Sequence, residues 1–448
     1  MRLNHLFIFI AAFSVLLSAC DNLPKDDEVD IAPYNVISGL SLPFQTQKKD
    51  NMLYVLDKKS HVYCIDLNDY SSIFNEDLKS KGKSGTLSNN SPKASKALSE
   101  SEKITLKLPI GTVRPYNKDD GKIDLSKLDY SLVPVSFSLS PDGSSLYIVV
   151  YVSCSDNSNI DGMYYILNFN TADKKVVNAI PLDTMKNYSY TDSDATTDID
   201  VISDATASTG NSARQIYAND KTLFVTGNKR LFIIPIKNGK VDPEYDFYTD
   251  NKKSFISAET AETMSPYLVQ EYNGSVYLSS REKNFGVHVY NYDLTKKTIS
   301  FLKKESVIND VIGNRYPVSM NIYGNKLYCS SYERFGIFNI ENETLSLAMN
   351  INACDLSLVS DVKVIDDYYA AGFNYKIEED MTVSIGYNHL FIRSGVAFWD
   401  KDGNRLTAKD DYWIDGNIKN IELWKNGNSY FSISLCQDKT YLVINQLK

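Results

Sequence analysis

Ser138-Leu139-Ser140-Pro141-Asp142-Gly143-Ser144-Ser145-Leu146-Tyr147-Ile148 sets a tight turn against an apolar, aromatic-bearing run, and the rest of the chain repeats that arrangement. Asp and Gly suit the turn because they tolerate the positive φ that two-residue hairpins demand. Leu146-Tyr147-Ile148 then reads as a strand leaving the turn. Upstream, Asp50-Asn51 precedes Leu53-Tyr54-Val55. Downstream, Asn219-Asp220 precedes Leu223-Phe224-Val225, Asn273-Gly274 precedes Val276-Tyr277-Leu278, and Gly324-Asn325 precedes Leu327-Tyr328-Cys329. Asp366-Asp367 before Tyr368-Tyr369 and Asn426-Gly427 before Tyr430-Phe431 complete the series.

A second element follows each of these: two apolar or aromatic residues, usually then Asn or Asp, then a polar hairpin. Its copies are Cys64-Ile65-Asp66, Ile166-Leu167-Asn168, Ile233-Ile234-Pro235, Tyr290-Asn291, Phe338-Asn339, Phe398-Trp399-Asp400 and Ile444-Asn445. No long stretch carries helical periodicity. Seven such units of short antiparallel strands predict an all-β fold, a seven-bladed β-propeller. Only Gln446, Leu447 and Lys448 follow the last copy, so the seventh unit has a third strand and no fourth. Tyr34-Asn35-Val36-Ile37-Ser38, ahead of the first unit, is expected to supply the missing strand and close the ring, which leaves no sheet edge between the termini. The widest gap between units holds residues 79–103, Ser/Lys-rich with few apolar residues, and reads as an insertion.

The stretch 138–148 closely resembles the Ser-Pro-Asp-Gly turn of WD40-like and YVTN-type bacterial propellers. The resemblance concerns architecture, over residues 33–448, and implies no activity. The chain departs from those families in lacking a Gly-His…Trp-Asp pairing, a kelch double glycine and the repeated Gly-x-Trp of quinoprotein propellers.

The amino terminus carries a separate message. Met1-Arg2 is followed by an apolar run from Leu6 to Leu17 and by Leu17-Ser18-Ala19-Cys20. A basic start, a short apolar stretch and small residues before a cut site describe a secretory signal peptide. The run is shorter than the ~20 apolar residues a spanning helix needs. Leu-Ser-Ala-Cys resembles the lipobox of bacterial lipoproteins, which implies a signal peptide at 1–19, lipidation (palmitate or a similar acyl group) of Cys20 and a lipidated tether at 20–32. Two or more acyl chains would hold the domain to a bilayer. The tether, Asp21-Asn22-Leu23-Pro24-Lys25-Asp26-Asp27-Glu28-Val29-Asp30, is polar and acidic. Asp21 resembles the inner-membrane retention signal of enterobacterial lipoproteins, whereas Lys25-Asp26-Asp27 resembles the surface-export signal of Bacteroidetes lipoproteins. The expected location is therefore the bacterial cell envelope, at the inner or outer membrane, on the periplasmic or the outer side.

A formal charge of −9 argues against nucleic acid, whose phosphates need a positive surface. Five cysteines remain beyond Cys20: Cys64, Cys154, Cys329, Cys354 and Cys436. With no Cys-x-x-Cys spacing they read as small buried residues on strands, with room for one disulfide. His61, His288 and His389 are the histidines outside the signal, and the first two fall beside or within third strands, where a ring fills space or faces solvent. No Gly-x-Ser-x-Gly or phosphate-binding loop is present. Asn117–Asp124 carries the Asp-Gly-x-Ile-Asp core of a calcium loop, but Tyr116, Lys118 and Lys127 stand where oxygen ligands belong. It reads as a connector, and the Asp192–Asp204 stretch as a solvated loop. Asp402-Gly403-Asn404 reads as a hairpin turn. Trp399 and Trp424 are expected in the core, and Trp413 in an inter-blade connection covering a blade edge. No catalytic, cofactor-binding or metal residue is assigned.

These readings favour a lipid-anchored binding or scaffold propeller that engages a protein or glycan through loops at 70–103, 184–213 and 376–392. Two alternatives stand beside it. One is a glycan lyase or hydrolase at the mouth of the central channel, with Arg214, Arg315, Tyr316 and Glu271 as unranked candidates. The other is a surface nutrient-capture lipoprotein.

Overall fold

The structure is a computed structural model. It describes residues 34–74, 92–114, 123–154, 162–182, 213–227, 230–241, 266–281, 285–295, 298–313, 315–353, 357–376, 391–407, 413–414 and 416–448. Seven sheets, antiparallel apart from one added strand in the last blade, stand around a central channel, one blade for each sequence unit. The inner strands, in blade order, are Pro43–Lys49, Tyr130–Leu139, Ala213–Ala218, Pro266–Tyr272, Ser319–Tyr323, Ser357–Ile365 and Ile418–Asn426. Each tight turn of the repeat joins an inner strand to the second strand of its blade, and each second element of the repeat lies on the third strand. Positive φ occurs at Asp50, Gly143, Asn273, Gly274, Gly324, Asp366 and Gly427. In blade 3 the side chain does that work: Asn219 Oδ1 accepts from the Lys221 and Thr222 amides at 2.9 and 2.7 Å.

Successive residues of a strand point to opposite faces of the sheet, and each second strand is packed on both faces. In blade 1, Leu53 and Val55 face blade 7, while Tyr54 and Leu56 face blade 2. This explains the continuous apolar runs, because no face of these strands meets water. The buried residues accordingly fall into seven clusters, one between each pair of neighbouring blades. Blade 6 substitutes Ala370-Ala371-Gly372 for the usual large residues. A Cβ on Gly372 would come within 2.9 Å of the Ile418 and Ile421 methyls of blade 7.

The ring closes as the sequence predicts. Asn35–Ser38 pairs antiparallel with the last strand, Tyr441–Gln446, in the register Asn35↔Ile444 to Ser38↔Tyr441. The reading of residues 79–103 as an insertion needs correction in its described part. Ser95–Ala97 pairs parallel to the closing strand as a fifth strand of blade 7, and Lys103–Thr105 is the fourth strand of blade 1. Asn35 fastens the join: its Oδ1 accepts from the Ala94 amide at 2.8 Å, and its Nδ2 donates to the Ile73 carbonyl. Part of the expected docking loop is thus a clamp on the closure. Trp413 is corrected too, since Trp413–Ile414 is the fourth strand of blade 6 and not an inter-blade connection. Trp399 and Trp424 are buried as expected. Gly403, at φ 85°, sits in the expected turn, with the Asp402 amide donating to Asp400 Oδ1 at 3.0 Å.

Cys64, Cys329 and Cys436 are buried on strands and Cys154 is half-buried, with no disulfide among them. Burial pushes the Cys64 and Cys329 thiols up to about 12. Cys354 lies outside the described residues, as do Cys20, the 1–32 segment, His389, Asp192–Asp204 and most of 117–124. Asp124, at the end of that stretch, caps a short 3-10 turn by accepting from the Ser126 amide and hydroxyl.

Candidate functional site

The inner strand of a blade is an edge strand, with one side of its backbone left unpaired. Unmet backbone groups inside a protein are costly, and the side chains of the preceding blade meet them. Gln47 Oε1 of blade 1 accepts from the Leu139 amide at 2.7 Å, and Gln45 Oε1 from the Phe137 amide at 3.0 Å. Ser138 of blade 2 accepts from the Ala218 amide at 2.9 Å, and Gln215 of blade 3 from the Val269 amide at 2.8 Å. Asn321 of blade 5 donates to the Val362 carbonyl at 3.1 Å. Asp361 of blade 6 accepts from the Ile421 amide at 3.2 Å. A polar belt therefore runs around the channel wall.

On one side that belt becomes charged. Asp361, Lys363 and Glu422 occupy positions filled by Gln, Ser or Asn in blades 1, 2 and 5. Lys363 Nζ lies 3.3 Å from Glu422 Oε1 and 3.7 Å from Asp361 Oδ2. Asp361 also accepts from Ser319 Oγ at 3.1 Å and the Val362 amide at 2.9 Å, so its oxygens are well supplied. Burial pushes the Glu422 carboxyl up to about 7, against the pull of Lys363. Burial alone would depress Lys363, but the Asp361 and Glu422 carboxylates together hold its ammonium above the ordinary range. Burial depresses the Lys48 amine, with Glu422 opposing.

These residues line a cavity of about 370 Å³ in the channel, to which the inner strands of all seven blades contribute. Lys49, Pro141, Ala218, Tyr323 and Ile365 sit at its rim, next to the tight turns, which fixes the end at which it opens. Lys48 Nζ donates to the Asp50 carbonyl there at 2.8 Å. Gln270 and Tyr323 also line it.

The four residues named from the sequence lie elsewhere. Glu271 clamps a tight turn, accepting from Asn219 Nδ2 at 2.8 Å and the Gly274 amide at 2.6 Å. The other three gather on the opposite face, in blades 3 to 5. Arg214 Nη1 donates to the Pro266 carbonyl at 3.0 Å. Beside it, Arg281 stands 4.6 Å over the Tyr267 ring, Tyr267 meets Tyr316 edge-on at 6.2 Å, and Arg315 stands 3.6 Å over Tyr332. The row is a ladder of guanidinium and phenol rings with Arg281, Arg315 and Tyr316 exposed.

The histidines are tied into the fold. His61 Nδ1 lies 2.8 Å from Asp57 Oδ2, which also accepts from the Tyr63 hydroxyl at 3.0 Å. His288 is buried and stacked on Phe285 at 3.9 Å. Burial and the nearby Lys304 depress its ring to about 4. Among the described residues no three His, Cys, Asp or Glu side chains converge as a metal site.

No protein-family model matches the chain, and no curated protein matches it. Solved structures similar to it include the β-propeller domain of Cps50 (Swd1) from Myceliophteria thermophila. That domain is 11% identical with a TM-score of 0.49, over 93% of this chain and 100% of its own. The RRP9 WD40 repeats are 8% identical with a TM-score of 0.47, over 94% of this chain and 99% of their own. The likeness is one of fold.

Proposed function

We propose that the chain is a lipid-anchored binding propeller of the bacterial envelope, docking an acidic protein segment on the face formed by blades 3 to 5. The observation that carries the docking face is the ladder of Arg281, Tyr267, Tyr316, Arg315 and Tyr332. Arginine and tyrosine dominate the energetics of protein interfaces, because they combine stacking area with directed hydrogen bonds. In a chain of net charge −9, guanidinium groups grouped on one face single out a carboxylate-bearing partner. The Leu17-Ser18-Ala19-Cys20 sequence supports the anchor. At the channel, the two carboxylates of the charged cluster are both engaged with Lys363, which favours binding there over glycan cleavage.

Crosslinking in intact cells followed by purification tests the docking face. A recurrent protein partner is expected, lost on the double substitution R281A/R315A with the thermal midpoint unchanged. Recovery of the protein alone, or recovery of a glycan in place of a protein, would overturn it. Cys20→Ala is expected to move the protein from the membrane to the soluble fraction and to remove the acyl mass from its amino terminus. Protease treatment of whole cells separates the surface location suggested by Lys25-Asp26-Asp27 from the inner-membrane location suggested by Asp21.

A further inference from the structure

The channel cavity stands apart from the docking face and offers polar groups of its own. Its lining is richer in positive groups than the chain as a whole: Lys48, Lys49 and Lys363 stand against one lining carboxylate, Glu422, with Asp361 beside Lys363 and Asp50 beside Lys48. Gln270 occupies the belt position that Gln47 and Asn321 use to bind the next blade. Its amide makes no hydrogen bond among the described residues, although the residue is only 7% exposed and lines the cavity. The Tyr323 hydroxyl, also on the lining, likewise has no hydrogen-bond partner among them. Neither the amide nor the phenol is sealed from the channel, so both groups are free to hydrogen-bond polar atoms of a molecule in the space between them. At about 370 Å³ the cavity falls at the small end of ligand sites and holds one metabolite rather than a polymer segment.

We propose that the channel binds a small polyhydroxylated carboxylate, one sugar acid in size, with its carboxylate beside Lys363 and Lys48 and its hydroxyls on Gln270 and Tyr323. A lone anion would satisfy the lysines and leave the amide and phenol unmet. A neutral sugar would do the reverse. The ligand carboxylate enters next to Glu422, which faces Lys363 and Asp361 from blade 6, Lys48 from blade 1 and Tyr323 from blade 5. Two carboxylates then share the same ammonium groups. Glu422 sheds its charge by taking a proton from solvent, so binding is coupled to proton uptake.

Calorimetric titration of the mature domain with galacturonate, glucuronate, gluconate and N-acetylneuraminate tests the site, with galactose and inorganic phosphate as controls. At least one of the four acids is expected to bind, tenfold or more tightly than either control. In buffers of different ionisation enthalpy near pH 7.5, uptake of a substantial fraction of a proton per ligand is expected, and Glu422→Gln should abolish it. Lys48→Met and Gln270→Leu should each weaken binding about tenfold without lowering the thermal midpoint, since Gln270 holds nothing in the free protein. Absence of heat with all four acids, or equal affinity for galactose or phosphate, would overturn the assignment. R281A/R315A should leave these titrations unchanged, so failure here is distinguishable from failure of the docking face.

Discussion

His288 and Glu422 are both buried, and they drive the stability of the ring in opposite directions as pH changes. Burial holds the His288 ring down near 4, against an ordinary 6.5. Above 6.5 the ring is neutral in folded and unfolded chains alike. Between 6.5 and 4 the unfolded chain takes the proton first, so acidification destabilises the fold, by roughly 3 kcal/mol at most. Glu422 is raised to about 7 from 4.5, so in that window the folded chain keeps a proton that the unfolded chain has released. Its contribution therefore favours the fold at the acid end and declines as pH rises towards 7. Urea midpoints at pH 7 and pH 4.5 separate the two. His288→Phe, which can stay stacked on Phe285, is expected to lessen the acid loss, whereas Glu422→Gln should deepen it. Unaltered slopes in both variants would contradict the burial argument.

Blades are the units at which the sequence is most readable. Turn residues followed by Leu-Tyr-Val or its equivalents mark second strands, because a strand packed on both faces must be apolar throughout and a tight turn needs Asn, Asp or Gly. The closing strand was legible by the same logic, from a seventh unit that lacks its outer strand. Its removal is a direct test: deleting residues 31–40 should unfold the domain cooperatively at a lowered temperature, and an unchanged melting curve would refute the closure. Ser95–Ala97 and Lys103–Thr105 could not be read this way. They are short, lie at outer positions that need little apolar surface, and are held by Asn35 and by backbone pairing with strands far along the chain. The channel cluster was missed for a different reason. Inner strands carry polar residues at alternate positions to bind the next blade, so Asp361, Lys363 and Glu422 look like ordinary alternation. The signal was available in Gln45-Thr46-Gln47 against Asp361-Val362-Lys363: the same spacing before the turn, with amides in one blade and charges in the other. Arg315 and Tyr316 were named from the sequence, but which rings they meet depends on blade order, which no local pattern encodes.

At the scale of the whole molecule, the two proposed sites lie at opposite ends of the channel. The tight turns surround the cavity mouth, and the arginine–tyrosine ladder lies at the far end, so a docked partner and a small ligand need not exclude one another. The position of the closing strand also has a mechanical consequence. Asn35–Ser38 lies between the last strand and Ser95–Ala97, and follows in sequence the segment beginning at Cys20, the proposed anchor. In the proposed lipid-anchored state, a pull from Cys20 would reach Tyr34 and these four residues before the rest of the ring. The component of that pull along the strand would load the hydrogen bonds on both sides together in shear instead of parting them one by one. Stretched between Cys20 and a bound partner, the disc would behave as a latch of definite strength: intact up to a threshold force, then opening at blade 7.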